Sequence, residues 1–405
     1  MTKLKILTVL GTRPEAIKLA PVIQQLQSHS GQVEVKVCVT GQHREMVDQV
    51  LNLFCISPDF DFDLMLANQT PSQVAGRVLL ALDSLMKEFT PDWVLVQGDT
   101  TSVMATALAA HHLRVKVAHV EAGLRTYDRL NPFPEELNRV VADYVSDLHF
   151  APTANARDNL LHERFNRDSI FVTGNTVIDA LHWVMRQPLQ PIATNLLENW
   201  GITNHRENGN PDSNHNGNQP GSKSLILVTA HRRESFGKPI RNICKAVRIL
   251  SARDDVQIVY LVHPNPNIWG PVHKLLGGLP GITLLPPVDY LTLVQLMKHS
   301  RLILTDSGGI QEEAPSLGVP VLVMRKKTER PEAVAAGVAK LVGTETDSIV
   351  LASQNLIENS SAHEAMARAI NPYGDGNAAR RIAEVLVFGH CEEFYPEIGA
   401  FGYTV

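Results

Sequence analysis

Cysteine, aromatic residues and net positive charge are all in short supply in this chain of 405 residues, and each shortage closes off a class of protein. The four cysteines, Cys38, Cys55, Cys244 and Cys391, lie far apart and form no metal-ligand cluster, so they read as reduced core thiols. With 6% aromatic, 44% hydrophobic and 20% charged residues, the composition is that of a soluble globular protein and not of a disordered or fibrous one. Lys and Arg number 37 against 42 Asp and Glu, a net charge of −5. Nucleic acid and anionic membranes favour basic surfaces, so neither is an expected partner, and a phosphorylated ligand has to be held by local groups. No apolar run approaches the roughly 18–20 residues of a membrane helix. The stretch Ile6 to Leu10 behind Lys3 and Lys5 is too short for a signal peptide core, so a cytoplasmic location is expected.

Nucleotide and metal fingerprints are also missing. No G-x-x-x-x-G-K-[ST] occurs, and the single G-x-G-x-x-G/A match, Gly374 to Ala379, follows a helix and not a strand, which argues against NAD or a P-loop nucleotide. Asp59-Phe60-Asp61-Phe62-Asp63 places Leu64 where a calcium loop requires glycine, and reads better as alternating acids on an edge strand. His111-His112 closes a helix, where solvation or the helix dipole accounts for it. No metal and no cofactor are expected.

What is present is a regular alternation of β-branched apolar runs with amphipathic segments, the pattern of βαβ units around parallel sheets, hence an α/β protein. Strands are expected at 4–10, 33–39, 92–97, 115–120 and 168–173, then at 224–230, 256–262, 301–306 and 319–324. The length suggests two to three domains on the rough prior of 100–200 residues each. We expect a first domain over 1–175 and a second over 176–375, the latter interrupted by a mobile insertion at 203–222. That insertion has six asparagines, two Asn-Gly pairs and no residue of the hydrophobic set, so it has nothing to bury. A C-terminal helical segment, about 376–405, is expected to pack back on the first domain.

Two loops have the character of anion sites. The first strand runs into Gly11-Thr12-Arg13-Pro14-Glu15-Ala16-Ile17-Lys18, where glycine permits close approach, proline suits a first helical turn and Arg13 and Lys18 add charge; an ordinary turn with solvated charges is the alternative. After 301–305 come Asp306-Ser307-Gly308-Gly309-Ile310-Gln311-Glu312-Glu313, small residues at a helix start with a carboxylate one turn on, which favours nucleotide recognition. Ala230-His231-Arg232-Arg233-Glu234 stands at the carboxyl end of a strand, where open α/β sheets bind ligands. Acids follow two further strands, Asp99 after Gln97-Gly98 and Glu121 after Val120, and Glu135 and Glu136 open a helix behind Pro134. One such acid is more often a cap, but three at one crevice suit acid–base chemistry, which uses carboxylates of separated pKa.

These segments, together with Gly98-Asp99-Thr100-Thr101, His119-Val120-Glu121-Ala122-Gly123-Leu124-Arg125, Pro134-Glu135-Glu136, Gly174-Asn175-Thr176 and Thr328-Glu329-Arg330-Pro331-Glu332, resemble the non-hydrolysing UDP-N-acetylglucosamine 2-epimerases over about residues 4–390. The resemblance implies a GT-B-like fold, two Rossmann-like doubly wound parallel-sheet domains facing a central cleft. It also implies reversible conversion of UDP-N-acetylglucosamine to UDP-N-acetylmannosamine without cofactor, for surface polysaccharide synthesis, by a homodimer. By similarity Asp99, Glu121 and Glu135 are the acid–base carboxylates and His231 lies by the diphosphate of the leaving UDP. Arg13, Lys18, Arg139, Ser307, Gly308, Gly309, Glu313 and Arg330 then hold the substrate. Gln42, His43, Arg44 and His263 match an activator site for a second UDP-N-acetylglucosamine, although the neighbouring Glu45 is Gln in some activated members. The chain departs from the pattern at Lys326-Lys327 (usually Asp-Thr), Ser235 (usually Asn) and Gln97 (usually His).

Inverting C2 without a redox cofactor requires removing one proton and returning another to the opposite face. Anti elimination of UDP to 2-acetamidoglucal and re-addition achieves this, with charged groups at the diphosphate stabilising the departing anion. The rivals are a hydrolysing epimerase, which releases free N-acetylmannosamine, a GT-B glycosyltransferase, which needs an acceptor and at most one base, and a non-catalytic UDP-sugar sensor.

Overall fold

The computed structural model describes residues 2–41, 44–64, 66, 69–202 and 223–396, with Arg44 described in its backbone alone. The expected insertion at 203–222 and residues 397–405 lie outside the described residues. The chain divides into two compact units, Met1–His182 with Tyr373–Pro396, and Trp183–Pro372. Each is an α/β unit built on one all-parallel sheet.

In the first unit seven strands, β1 (Leu4–Leu10), β2 (Val33–Val39), β3 (Phe60–Asp61), β4 (Trp93–Gln97), β5 (Lys116–Val120), β6 (Leu148–Ala151) and β7 (Ile170–Val172), stand in the order β3-β2-β1-β4-β5-β6-β7. In the second, six strands, β8 (Ser224–Ala230), β9 (Val256–Val262), β10 (Ile282–Leu285), β11 (Ser300–Thr305), β12 (Val321–Val323) and β13 (Ala339–Leu341), stand in the order β10-β9-β8-β11-β12-β13. Both orders reverse beside their first strand, between β1 and β4 and between β8 and β11. Loops leaving the carboxyl ends of such a pair diverge to opposite faces of the sheet and open a crevice there. The segments after these four strands are Gly11-Thr12-Arg13, Gly98-Asp99, His231-Arg232 and Asp306-Ser307, so topology alone brings the motifs together within each unit.

Strands buried on both faces read as continuous apolar runs. Leu7, Val9, Val94, Val96 and Val117 belong to a buried cluster in the first unit, and Ile226, Val228, Tyr260, Leu304 and Leu322 to one in the second. Burying each of the Leu, Ile and Val side chains stabilises by about 1.5–3 kcal/mol. The acidic run at 59–63 does lie on an edge, as β3. Strands β6, β10 and β13 escape sequence reading because they are three or four residues long, and Leu148-His149-Phe150-Ala151 and Ala339-Lys340-Leu341 carry a polar residue in mid-strand. Only Cys38 and Cys244 are core thiols, pushed up to about 12 by burial; Cys55 is exposed and Cys391 half-buried.

The helix Arg13–Ser28 opens on a capping box, with the Thr12 side chain on the Glu15 amide and the Glu15 carboxylate on the amides of Gly11 (2.6 Å) and Thr12 (3.2 Å). Against it packs the helix Ala378–Phe388. That helix is held at its start by Asp179, which accepts the Ala378 and Ala379 amides at 3.2 and 2.9 Å. The Gly374–Ala379 segment is a packing turn: a Cβ on Gly376 would stand 2.2 Å from His182 Nδ1.

Candidate active site

In the first unit the two acids that follow β4 and β5 each have a cationic partner. Glu121 leaves β5 with φ 68°, in the left-handed region, which costs a non-glycine residue about 1–3 kcal/mol and turns its side chain back toward β1 and β4. There its carboxylate accepts from Lys18 Nζ at 2.5 Å and from the Gln97 amide. Gln97, a departure from the expected motif, is thus a direct neighbour of the acid. Asp99, one-third exposed, pairs with Arg139. Its backbone carbonyl accepts from Asn138 Nδ2 at 3.0 Å, so the helix Glu135–Val145 is tied to the Asp99 loop by its first turn. Arg139 also faces Glu136 at 3.3 Å, and Glu136 in turn receives the amides of Thr126 (2.9 Å) and Tyr127 (2.8 Å). Glu135 is the first residue of that helix, half-buried, and its carboxylate has no partner among the described residues. Arg13 opens its helix, half-buried, at the end of β1. The wholly buried Glu15 carboxyl, shut away from solvent, is raised above the ordinary carboxylate range by burial, against the opposing effect of the hydrogen bonds it accepts.

In the second unit the organising group is Asp306, fully buried at the end of β11. Its carboxylate accepts the His231 amide (2.9 Å), the Arg232 amide (2.9 Å) and the Ser235 hydroxyl (2.8 Å), and lies 3.2 Å from His231 Nδ1. Ser235 therefore serves as a short donor where the resembling family usually carries Asn. Burial depresses the His231 pKa, with Arg232, His263 and Arg325 acting in the same sense and Asp306 opposing, so the ring is neutral at pH 7. That ring stacks at 5.9 Å on His263, which ends up beside His231 at the end of β9. Gln42 and His43, expected to form an activator site with His263, lie outside the described residues, and Arg44 is seen only as the start of the helix Arg44–Leu53.

Ser307 precedes the helix Gly308–Glu313 without a side-chain capping bond, and a Cβ on Gly308 would stand 3.6 Å from Arg232 Nη2 and 3.7 Å from Glu329 Oε1. Glu313 accepts from the Tyr290 hydroxyl at 3.0 Å, and Arg330 Nε meets Glu312 at 2.5 Å. Glu329 binds both Arg232 (3.0 Å) and Arg325. Burial would raise its pKa, but the two arginines overcome that and lower it, so it is ionised and holds two cations in place. Lys326 and Lys327 are exposed, while Thr328 keeps its bond to Gln311 at 2.7 Å. Sequence reading passed over Arg325, and took Asp306 as part of a turn and not as its anchor; four donors on one buried carboxylate is a property of three dimensions. Among the described residues no group of three or more His, Cys, Asp or Glu could hold a metal, and no helix is long and apolar enough to cross a membrane.

Two Rossmann-like parallel-sheet units, one with paired carboxylates and one with a histidine among arginines, define a GT-B-like protein of nucleotide-sugar chemistry. A family model described as UDP-N-acetylglucosamine 2-epimerase matches residues 24–387. The UDP-N-acetylglucosamine 2-epimerase of Salmonella typhimurium is 50% identical over 386 residues, which covers 95% of this chain and 98% of that protein. Among solved structures, the UDP-GlcNAc 2-epimerase of Neisseria meningitidis bound to UDP-GlcNAc is 46% identical with a TM-score of 0.84, covering 95% of this chain and 99% of that one. The Methanocaldococcus jannaschii enzyme in complex with UDP-GlcNAc and UDP is 32% identical with a TM-score of 0.75, covering 95% and 100%. The chain belongs to the UDP-N-acetylglucosamine 2-epimerase family.

Proposed function

We propose that this chain is a non-hydrolysing epimerase that interconverts UDP-N-acetylglucosamine and UDP-N-acetylmannosamine through anti elimination of UDP and its re-addition to 2-acetamidoglucal. The observation that carries the reading is the pair of acids at the ends of adjacent strands, Glu121 held by Lys18 and Asp99 held by Arg139. The ion pairs aim both carboxylates, and a positioned carboxylate can remove a carbon-bound proton. Glu135, free of partners among the described residues, is the group able to carry a proton to or from the sugar. In the second unit Arg232 and Arg330 receive the diphosphate as C1–O cleaves, with His231 beside it, Gly308 and Gly309 offering amides, Ser307 its hydroxyl and Glu313 a hydroxyl acceptor. Arg13 and Lys18 complete the binding set. His263 beside His231 fits a role at the same diphosphate as well as the activator role that similarity suggests for it with Gln42, His43 and Arg44.

As C1–O breaks, the electron pair leaves with UDP, the C2 proton passes to a carboxylate and a C1–C2 double bond forms. Re-addition of UDP with protonation from the other face completes inversion, and no electrons are exchanged with a cofactor. Homology to a UDP-GlcNAc-bound relative supports the substrate. A cytoplasmic homodimer feeding surface polysaccharide synthesis is the setting we propose for it.

The test is an incubation of dialysed protein with UDP-N-acetylglucosamine in deuterated water, without nicotinamide. UDP-N-acetylmannosamine carrying deuterium at C2, with a trace of 2-acetamidoglucal and UDP, is the expected result. Free N-acetylmannosamine stoichiometric with UDP would assign the hydrolysing reaction. Retained C2 protium with no epimer would refute the proposal, and turnover only with an acceptor would point to glycosyl transfer.

A further inference from the structure

The carboxyl ends of β4 and β5 are joined by more than the sheet ladder. Gln97, the last residue of β4, gives its side-chain amide to Glu121, which follows β5. In return His119, within β5, gives Nε2 to the carbonyl of Gly98, which follows β4, at 2.7 Å. The Gly98 amide closes the crossing on the Val120 carbonyl at 3.0 Å. Both acid-bearing turns have left-handed backbones, φ 84° at Gly98 and 68° at Glu121, so neither is held in place by regular strand geometry.

His119 is fully buried, and its other nitrogen, Nδ1, lies 2.6 Å from Asp143 Oδ1. A backbone carbonyl can only accept, so Nε2 carries a proton. The second oxygen of Asp143 is occupied by Arg125 Nη1 at 2.7 Å and the Gly123 amide at 3.2 Å, and the guanidinium charge beside it favours the ionised carboxylate. A bare Nδ1 would then set lone pair against lone pair at 2.6 Å; a protonated one makes a charge-assisted bond. We propose that His119 is a positioning residue, a buried imidazolium which, with the Gln97 amide, laces the end of β4 to the end of β5 and fixes the directions in which Asp99 and Glu121 leave the sheet.

The electrostatics agree with the geometry. Burial opposes the charge on His119 most strongly, but Asp143 and the Gly98 carbonyl outweigh it and raise the pKa. Asp143 resists burial chiefly through His119 and Arg125, and is held down to about 2. The other charged groups around the ring are Arg125, itself paired to Glu163, and His149 on β6, whose pKa burial lowers so that it stays neutral. Among the described residues the imidazolium is therefore compensated by the Asp143 carboxylate and faces Arg125 as the one other cation.

This inference rests on the proposed epimerase reaction for its kinetic arm but not for its spectroscopic one. In full-length protein labelled with 15N-histidine, His119 is assigned by signals lost in His119→Gln or, should that variant not fold, by signals shifted in Asp143→Asn. Both ring nitrogens are expected to be protonated at pH 7 and above, where an ordinary histidine is largely neutral. His119→Gln and Gln97→Leu are each expected to lower turnover by about 10²-fold with KM changed by no more than about threefold, the signature of misplaced reacting groups with binding intact. A neutral His119 ring at pH 7, or normal turnover in both folded variants, would overturn the proposal. If the parent protein fails to epimerise, the functional reading falls, and the protonation state of the ring still decides whether the buried cation exists.

Discussion

At the residue scale the acids of the first unit are distinguished by what holds them. Asp99→Asn, Glu121→Gln and Glu135→Gln are each expected to lower turnover by about 10²-fold or more with the fold intact by circular dichroism, since a positioned acid or base contributes about 10²–10⁴. Near-normal turnover in any of the three would remove that residue from the site. Asp306 invites a different measurement. Its carboxylate takes two amides and a hydroxyl while fully buried. In Asp306→Asn an amide group must face at least one of those donors, and unsatisfied buried groups cost about 1–3 kcal/mol each. The denaturation midpoint of the second unit should fall accordingly, and with it the hold on His231.

At the scale of elements, the start of the helix Ala378–Phe388 hangs on a side chain from distant sequence. Burial raises Asp179 to about 7, although the Ala378 and Ala379 amides favour its charge. The folded pKa lies above the ordinary value of 3.8, so the folded protein binds the extra proton between the two. Stability from this group is complete below the lower value and is lost as the pH rises through about 7. The melting temperature should decline between about pH 4 and about pH 7, and Asp179→Asn, which cannot titrate, should flatten that decline. An unchanged slope in a folded Asp179→Asn would show that the carboxyl already ionises freely.

At the scale of the molecule, both units place their chemistry at the point where strand order reverses, β1 beside β4 and β8 beside β11. A segment with no apolar residue to bury should be dispensable to them. Residues 205–220 contain no residue of the hydrophobic set. Deleting them is expected to leave stability and turnover close to the parent, because closure entropy changes only slowly with loop length. A large loss of either, followed by thermal unfolding and epimer assay, would reject that expectation.

The order of motifs determined much of this by itself. Apolar β-branched runs such as Leu225 to Ala230 announce strands because a parallel strand is buried on both faces, and glycine, proline and acid at their ends announce the turns. Resemblance to the family was legible for the same reason, since motifs stay local in sequence where backbone and ligand must approach. Partnership between residues was not legible, because hydrogen bonds join positions that only folding brings near. His119 reads as one more residue of an apolar strand, and only the turn of Gly98 on one side and Asp143 on the other, 24 residues along the chain, give its two nitrogens their acceptors. Gln97 and Ser235 look like departures from a pattern until Glu121 and Asp306 are seen to receive their donors. Sequence determines which groups are present and near which strand end; the tertiary fold decides which of them share a proton, because that depends on distances of under 3 Å between strands that are adjacent only in the sheet.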